Sequence, residues 1–285
     1  MLIQNQKTTI NCKGKLIDLK TPIVMGIVNV TPDSFYDGGK NNSVENAVNQ
    51  AEKHLNEGAT ILDVGGYSSR PGADNVSEQE ELERVIPVIK AIIQEYPESI
   101  ISIDTFRSKV ASKAIESGAS IINDISAGDM DNNMFNTVAD LNVPYIMMHM
   151  QGTPETMQNN PTYKNIIQEI TNYFSEKINA LRKKGVNDII IDPGFGFGKT
   201  LEHNYKTLDN LNHFQLLGVP VLAGLSRKSM IYKLLNTNAK GALNGTIAAN
   251  TIALHNGANI LRVHDVKEAV ECVKINLNIY GTHDI

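Results

Sequence analysis

Arg262 and His264 stand two residues apart in an apolar run, and in an extended chain that spacing projects both onto one face while Val263 turns to the other. A guanidinium beside an imidazole suits a phosphate or a similar anion. A second basic group, Ser226-Arg227-Lys228-Ser229, follows another short apolar run and opens a helical pattern, so two cations and two hydroxyls accompany the free N–H groups of a helix start. Its plainer reading is a solvated basic turn. Asp192-Pro-Gly-Phe-Gly-Phe-Gly-Lys199-Thr200 ends like a phosphate-binding P-loop, but the first glycine of that motif falls on Pro193. A dinucleotide fingerprint fails as well, because its third glycine falls on Lys199. What survives is a carboxylate followed by a glycine-rich turn that allows close backbone approach and carries Phe195 and Phe197.

Other polar residues end apolar runs in the same way: Asn29, Asp63, Asp104, Asn123 with Asp124, and His149. A plain strand cap accounts for any one of them alone, so only convergence on one place gives them meaning. Two glycine-bearing segments lie beside them. Asn29-Val-Thr-Pro-Asp-Ser-Phe35 runs into Asp37-Gly-Gly39, which suits a lid, and 65–72 offers Ser68, Ser69 and Arg70 between glycines.

The elements that must position these groups follow from the apolar pattern. Eight runs of strand length occur at 23–30, 60–65, 100–104, 120–124, 143–149, 188–192, 219–224 and 260–264. Between them apolar residues recur at helical spacing, as in Val44, Ala47, Val48, Ala51 and Leu55. Ser77 with Glu80 predicts a capping box, and Gly58, Gly118 and Gly257 predict helix stops before short loops. Eight strands alternating with helices fit a single (β/α)8 barrel better than an open sheet. The expected organisation is one domain over 1–285, with an N-terminal β hairpin in 1–20, turning at Lys13-Gly14 and covering the barrel floor, and the barrel in 21–280. Barrel enzymes work at the C-terminal ends of their strands, so the polar residues above should meet at one mouth.

Composition narrows the function classes. With 41% hydrophobic and 20% charged residues the chain is globular, and a net charge of −5 argues against nucleic acid or an anionic membrane surface as a partner. Cys12 and Cys272 form no metal or disulfide pattern. The first ten residues lack the apolar centre of a signal peptide and no run approaches membrane-spanning length, so a cytoplasmic protein is expected.

Taken in order over residues 25–265, Asn29-Val-Thr-Pro-Asp-Ser-Phe, Asp37-Gly-Gly, Asp63-Val-Gly-Gly, Ser69-Arg-Pro-Gly, Ile103-Asp-Thr, Ile122-Asn-Asp, Asp192 to Lys199, Ser226-Arg-Lys-Ser and Arg262-Val-His resemble the dihydropteroate synthase family, pterin-binding TIM barrels. Ser69 stands where the family commonly has Thr, and Tyr67 where it often has an acidic or aliphatic residue. The resemblance implies condensation of 6-hydroxymethyl-7,8-dihydropterin diphosphate with para-aminobenzoate, releasing diphosphate, by a sulfonamide-sensitive class of transferase. It assigns the pterin to Asp104, Asn123, Asp192 and Lys228, with Asp104, Asp192 and Lys228 nearest the chemistry. It assigns the diphosphate to Ser69, Arg70, Arg262 and His264, para-aminobenzoate to Phe197, Pro71 and Ser229, and Mg²⁺ to Asn29. A homodimer is implied too. Two other readings stay open: a non-catalytic pterin-binding paralogue, which would be free to lose Asn29, Arg70 or His264, and a pterin-dependent methyltransferase domain, which has no use for the Ser226-Arg-Lys-Ser229 and Arg262-His264 anion groups.

Overall fold

The structure is a computed structural model that describes residues 7–30, 40–67 and 76–281. Its first element is the expected hairpin: β1 (Thr9–Cys12) pairs antiparallel with β2 (Lys15–Asp18), with Cys12 opposite Lys15. Lys13 and Gly14 both take positive φ, 52° and 90°, the backbone a two-residue hairpin turn needs. Asn11 Oδ1 accepts the Gly14 N–H at 2.7 Å and steadies it.

Eight parallel strands follow: β3 (Ile23–Asn29), β4 (Ile61–Gly65), β5 (Ile101–Asp104), β6 (Ile121–Asp124), β7 (Tyr145–Met148), β8 (Ile189–Asp192), β9 (Leu222–Ala223) and β10 (Ile260–Val263). Their order in the sheet is β8-β7-β6-β5-β4-β3-β10-β9, and a parallel bridge between Ile191 and Val221 brings the two ends together. The result is a nearly closed barrel. Helices α1 (Lys40–Asn56), α2 (Glu78–Glu95), α3 (Ser108–Glu116), α4 (Met134–Leu141), α5 (Ile166–Lys183) and α6 (Leu201–Asp209) link successive strands, and α7 (Ser229–Leu234) and α8 (Leu243–His255) lie between β9 and β10. The last helix, α9 (Val266–Tyr280), packs back on β3 and α8.

Alternation along each strand splits the core in two. Residues facing outward, such as Val24, Val28, Leu62, Val64, Ile101 and Ile103, pack under the helices in one large apolar cluster. The inward residues nearest the strand starts, Met25, Ile61, Ile121, Ile146, Ile190, Leu222 and Ile260, form a second cluster that Ile10, Cys12, Ile17 and Leu19 of the hairpin segment close from below. The barrel is thus plugged at its floor and polar only above. Cys12 and Cys272 are both free and buried. Among the described residues no helix is long and apolar enough to cross a membrane.

Local signals held with one change. Gly58, Gly118 and Gly257 all follow helix ends with positive φ (99°, 122° and 87°), a conformation that only glycine adopts without strain. Ser77 Oγ accepts the Glu80 N–H at 3.2 Å, but Glu80 does not complete the capping box. Its carboxylate pairs with Arg84 at 2.6 Å instead, because a guanidinium one turn on is a stronger partner than a backbone N–H. The full box sits at α6, between Thr200 and His203.

Candidate active site

Above the apolar floor the inward strand positions turn polar: Asp63 on β4, Ser102 and Asp104 on β5, Asn123 on β6, Asp192 on β8 and Arg262 on β10. These groups come from strands that are remote in sequence and adjacent in the barrel. Asp104 lies opposite Asn123 in register, Asp63 opposite Ser102, and Arg262 opposite Met25.

Arg262 is clamped between two carboxylates. Its Nε donates to Asp63 Oδ2 at 2.6 Å and its Nη2 to Asp104 Oδ2 at 2.5 Å. Asp63 Oδ2 also accepts from Asn123 Nδ2 at 3.1 Å. Asp63 is fully buried, whereas the Asp104 side chain keeps 21% of its surface exposed and faces the mouth. Burial pushes the Asp104 carboxyl up, Arg262 opposes that shift, and the neighbouring Asp63 charge adds to it. Asp63 is legible in the sequence as a strand-end carboxylate expected at the mouth, but the resemblance gives it no ligand. Its inward place one step below Gly65 on β4 is the signal that could have marked it.

The opposite side of the mouth belongs to β8 and the turn after it. Asp192 Oδ1 accepts the Gly194 N–H at 2.8 Å, and burial raises its carboxyl while the nearby Lys228 ammonium pulls the other way. A Cβ placed on Gly224 would come 3.6 Å from Asp192 Oδ2 and 3.8 Å from Lys228 Nζ, so both charged groups border the same glycine-lined spot. Lys228 donates to the Phe195 carbonyl and lies over the Phe197 ring, 4.7 Å from its centre. Burial lowers Lys228 to about 8. The carbonyls from Gly194 to Gly198 all accept from side chains: Gly194 and Phe197 from Lys199 at 3.0 and 3.1 Å, Phe195 from Lys228, Gly196 from Gln158 at 2.9 Å, and Gly198 from Tyr163 at 2.7 Å. Lys199 therefore points back into its own turn and not at an external phosphate, which is the physical reason the P-loop resemblance misleads.

His149 and Lys199 form a pair that the sequence did not announce. Lys199 Nζ lies 3.0 Å from His149 Nδ1. Burial and the neighbouring lysine push His149 down to about 2, and burial takes Lys199 down to about 7. A neutral imidazole acceptor and a reluctant ammonium are what such a dry pocket favours.

His264 reaches the rim beside Ser226: its Nδ1 and the Ser226 Oγ are 3.0 Å apart, and its own N–H donates to the same oxygen at 3.2 Å. Ser229, the first residue of α7, is half-buried next to Lys228, and Asn29 ends β3 on the inward face. Three strand-end groups leave the mouth, His149 among them, which packs outward against Tyr163, Tyr173 and Phe174. Asp124 points outward, where it accepts from Tyr145 Oη at 2.7 Å and from the Ser126 and Gly128 N–H groups. Arg227 turns away to bind Asp265 through Nε and Nη2 at 2.9 and 2.8 Å, with φ of 55°. Only Lys228 of that basic pair serves the mouth. Ser69, Arg70 and Pro71, and the 31–39 segment, lie outside the described residues, though Arg84 holds the Gly66 carbonyl at 2.9 Å and Arg107 holds the Val76 carbonyl at 2.6 Å on either side of 68–75.

Comparison with known proteins agrees with this arrangement. Residues 25–264 match the family described as pterin binding enzyme. The chain is 48% identical over 265 residues to the dihydropteroate synthase of Escherichia coli K12, covering 92% of this chain and 93% of that one. To that of Haemophilus influenzae it is 46% identical over 264 residues, covering 92% and 95%. Among solved structures, a Yersinia pestis dihydropteroate synthase in a sulfonamide drug complex superposes with a TM-score of 0.90 at 42% identity, covering 95% of this chain and 98% of that one. A Xanthomonas albilineans dihydropteroate synthase in complex with 7,8-dihydropteroate does so with a TM-score of 0.86 at 39% identity and the same coverage. With the Asp, Asn, Lys and Arg groups meeting at the mouth of such a barrel, the chain belongs to the pterin-binding enzymes and, within them, to the dihydropteroate synthase family.

Proposed function

We propose that this barrel is a transferase that joins 6-hydroxymethyl-7,8-dihydropterin diphosphate to para-aminobenzoate, forming 7,8-dihydropteroate and diphosphate in folate biosynthesis. The observation that carries the reading is the meeting of Asn123, Asp192 and Lys228 in one mouth, two acceptors and a donor of the kind an amino-pyrimidinone edge requires, in a chain 48% identical to a dihydropteroate synthase.

In this reading the Asp192 carboxylate and Asn123 Oδ1 accept from the ring's N–H groups, and Lys228 donates to its carbonyl. Asp104 lies where its charge favours an electron-poor ring. The C–O bond to the diphosphate breaks with its electron pair leaving on the diphosphate, and the aromatic amine, a poor nucleophile, forms the new C–N bond to the ring-stabilised cation and then loses a proton. Arg262 and His264, with Ser69 and Arg70, are assigned to the leaving group, where positive charge aids departure. Phe197, already packed beside Lys228, and Pro71 would flank the para-aminobenzoate ring, with its carboxylate near Ser229. The 48% identity to a dihydropteroate synthase favours this reading over a methyltransferase domain.

Asn29 fits Mg²⁺ by its chemistry: a hard amide oxygen on the inward face, with no cluster of three or more His, Cys, Asp or Glu among the described residues to form a dedicated cage. Mg²⁺ keeps several waters and binds through one or two protein oxygens plus phosphates. When bound, it would neutralise charge on the departing diphosphate. Exposed Ile252 of α8 and Ile275, Ile279 and Tyr280 of α9 support a homodimer, checked by light scattering.

The deciding experiment incubates purified protein with the pterin diphosphate, para-aminobenzoate and Mg²⁺. Dihydropteroate should form, and diphosphate release should need both substrates. Folded protein that binds the pterin and yields no product would favour a non-catalytic paralogue.

A further inference from the structure

We infer that Asp63 is the positioning residue that decides which end of the Asn123 amide faces the mouth, and that it thereby makes this pocket select a ring edge that donates hydrogen bonds. The inference rests on the pterin reading above. Asp63 is fully buried, out of reach of a ligand at the mouth, yet its Oδ2 takes bonds from both Arg262 Nε at 2.6 Å and Asn123 Nδ2 at 3.1 Å.

An amide has nearly the same shape either way round, and rotation of its last bond exchanges a donor for an acceptor. Nothing within β6 chooses between the two orientations. The choice comes from β4, across the intervening β5. A carboxylate held against a guanidinium offers only acceptors. Asn123 must therefore turn its NH₂ toward Asp63 and leave Oδ1 for the mouth, where it can accept from a ring N–H or amino group. Arg262 completes the device, because its Nη2 is tied to Asp104 at 2.5 Å and its Nε to Asp63, which together hold the Asp63 carboxylate in place.

Asp63→Ala tests this by removing the acceptor. Arg262 and Asn123 share one Asp63 oxygen, so without it the Asn123 amide loses the partner that orients it and is free to turn a donor to the mouth, whereas Asp63→Asn can keep an amide oxygen in that place for both donors. The measurement is the ratio of dissociation constants, by calorimetry, for a 2-aminopteridinone and for the analogue with a 2-carbonyl in place of the amino group. The wild type should prefer the 2-amino ring, D63A should lower that preference about tenfold or more, and D63N should keep it. The double variant D63A/N123D should restore it, since an aspartate at 123 presents only acceptors whichever way it turns. Because each ratio compares two ligands on one sample, partial loss of folded protein cancels. A second measurement needs no change at 63: the Asn123 side-chain NH₂, assigned by its loss in N123D, should exchange slowly with solvent in the ligand-free wild type.

An unchanged ratio in D63A, equal loss in D63A and the double variant, or fast exchange of the Asn123 amide would each overturn the positioning role. No preference in the wild type would overturn the pterin reading and this inference with it, and that failure shows before any residue is changed.

Discussion

The two sides of the mouth keep their order by different means. On the side of β4, β5 and β10, charge decides: one guanidinium, Arg262, bridges Asp63 and Asp104. On the β8 side the Gly194–Gly198 turn is held by five carbonyls that accept from Lys199, Lys228, Gln158 and Tyr163. The first side depends on one residue shared by two partners. The second spreads its support over several neutral acceptors, so its parts fail one at a time. Both solutions hold polar groups in a dry place through hydrogen bonds, but only the first concentrates the cost of failure.

The largest effect should come from Arg262→Met, which keeps most of the side-chain volume and removes the charge. Two carboxylates would lose their cation, and breaking a buried pair in this way costs about 3 to 5 kcal/mol. Urea denaturation should show that loss together with loss of turnover. A variant as stable as the wild type would mean that the clamp does not hold this side.

Lys199→Met is the matching change on the other side. It leaves His149 Nδ1 and the Gly194 and Phe197 carbonyls without their donor, and it also removes an amine that is costly to bury. The net loss at pH 7 should be about 2 kcal/mol, smaller than for Arg262. The difference should grow with pH. Lys199 is lowered from 10.5 to about 7 in the folded chain, so between those values the unfolded chain holds a proton that the folded one has released, and wild-type stability rises with pH. Denaturation midpoints of wild type and K199M from pH 7 to 10 check the sign. A constant gap would place the Lys199 shift in doubt.

Asp104→Asn separates charge from packing on the first side. Because burial raises the Asp104 carboxyl, the folded chain keeps this proton to higher pH than the unfolded chain does. Its contribution to stability therefore falls as pH rises from the ordinary carboxylate range toward the raised value, while the rate should rise as the charge appears. D104N should lower turnover about tenfold or more and remove that acid limb from the pH–rate profile. An unaltered limb would assign it to another group.

The smallest effect should follow Gln158→Ala, which frees the Gly196 carbonyl at an exposed place. A loss of about 0.5 kcal/mol, with little change in KM for para-aminobenzoate, is expected. A loss as large as that of K199M would show that the turn is not supported in parallel.

The eight strands, the hairpin turn at Lys13-Gly14 and the glycine helix stops were legible because each is a local matter of alternation, turn chemistry or positive φ. The inward placement of Arg262 and the strand-end position of Asp192 followed from the same alternation. Strand length was harder to read: 219–224 is apolar throughout, yet only Leu222–Ala223 pairs as strand. Pairing depends on neighbours, and those are remote in the chain. Asp63 and Asp124 look alike in sequence, each a carboxylate ending an apolar run. Residue parity within the barrel sends Asp63 inward to Arg262 and Asp124 outward to Tyr145.

What the sequence by itself determined was the set of elements, their parallel order and the residue types gathered at the strand ends, because these depend on periodicity and on single-residue conformational preference. Only the tertiary structure decided which of those residues meet. Arg227 and Lys228 are neighbours in the chain, but a positive φ at Arg227 sends one to Asp265 and the other to the mouth. The bond from Asn123 to Asp63, separated by 60 residues, exists because parallel pairing sets β4, β5 and β6 side by side and the barrel buries both groups where water cannot serve as partner.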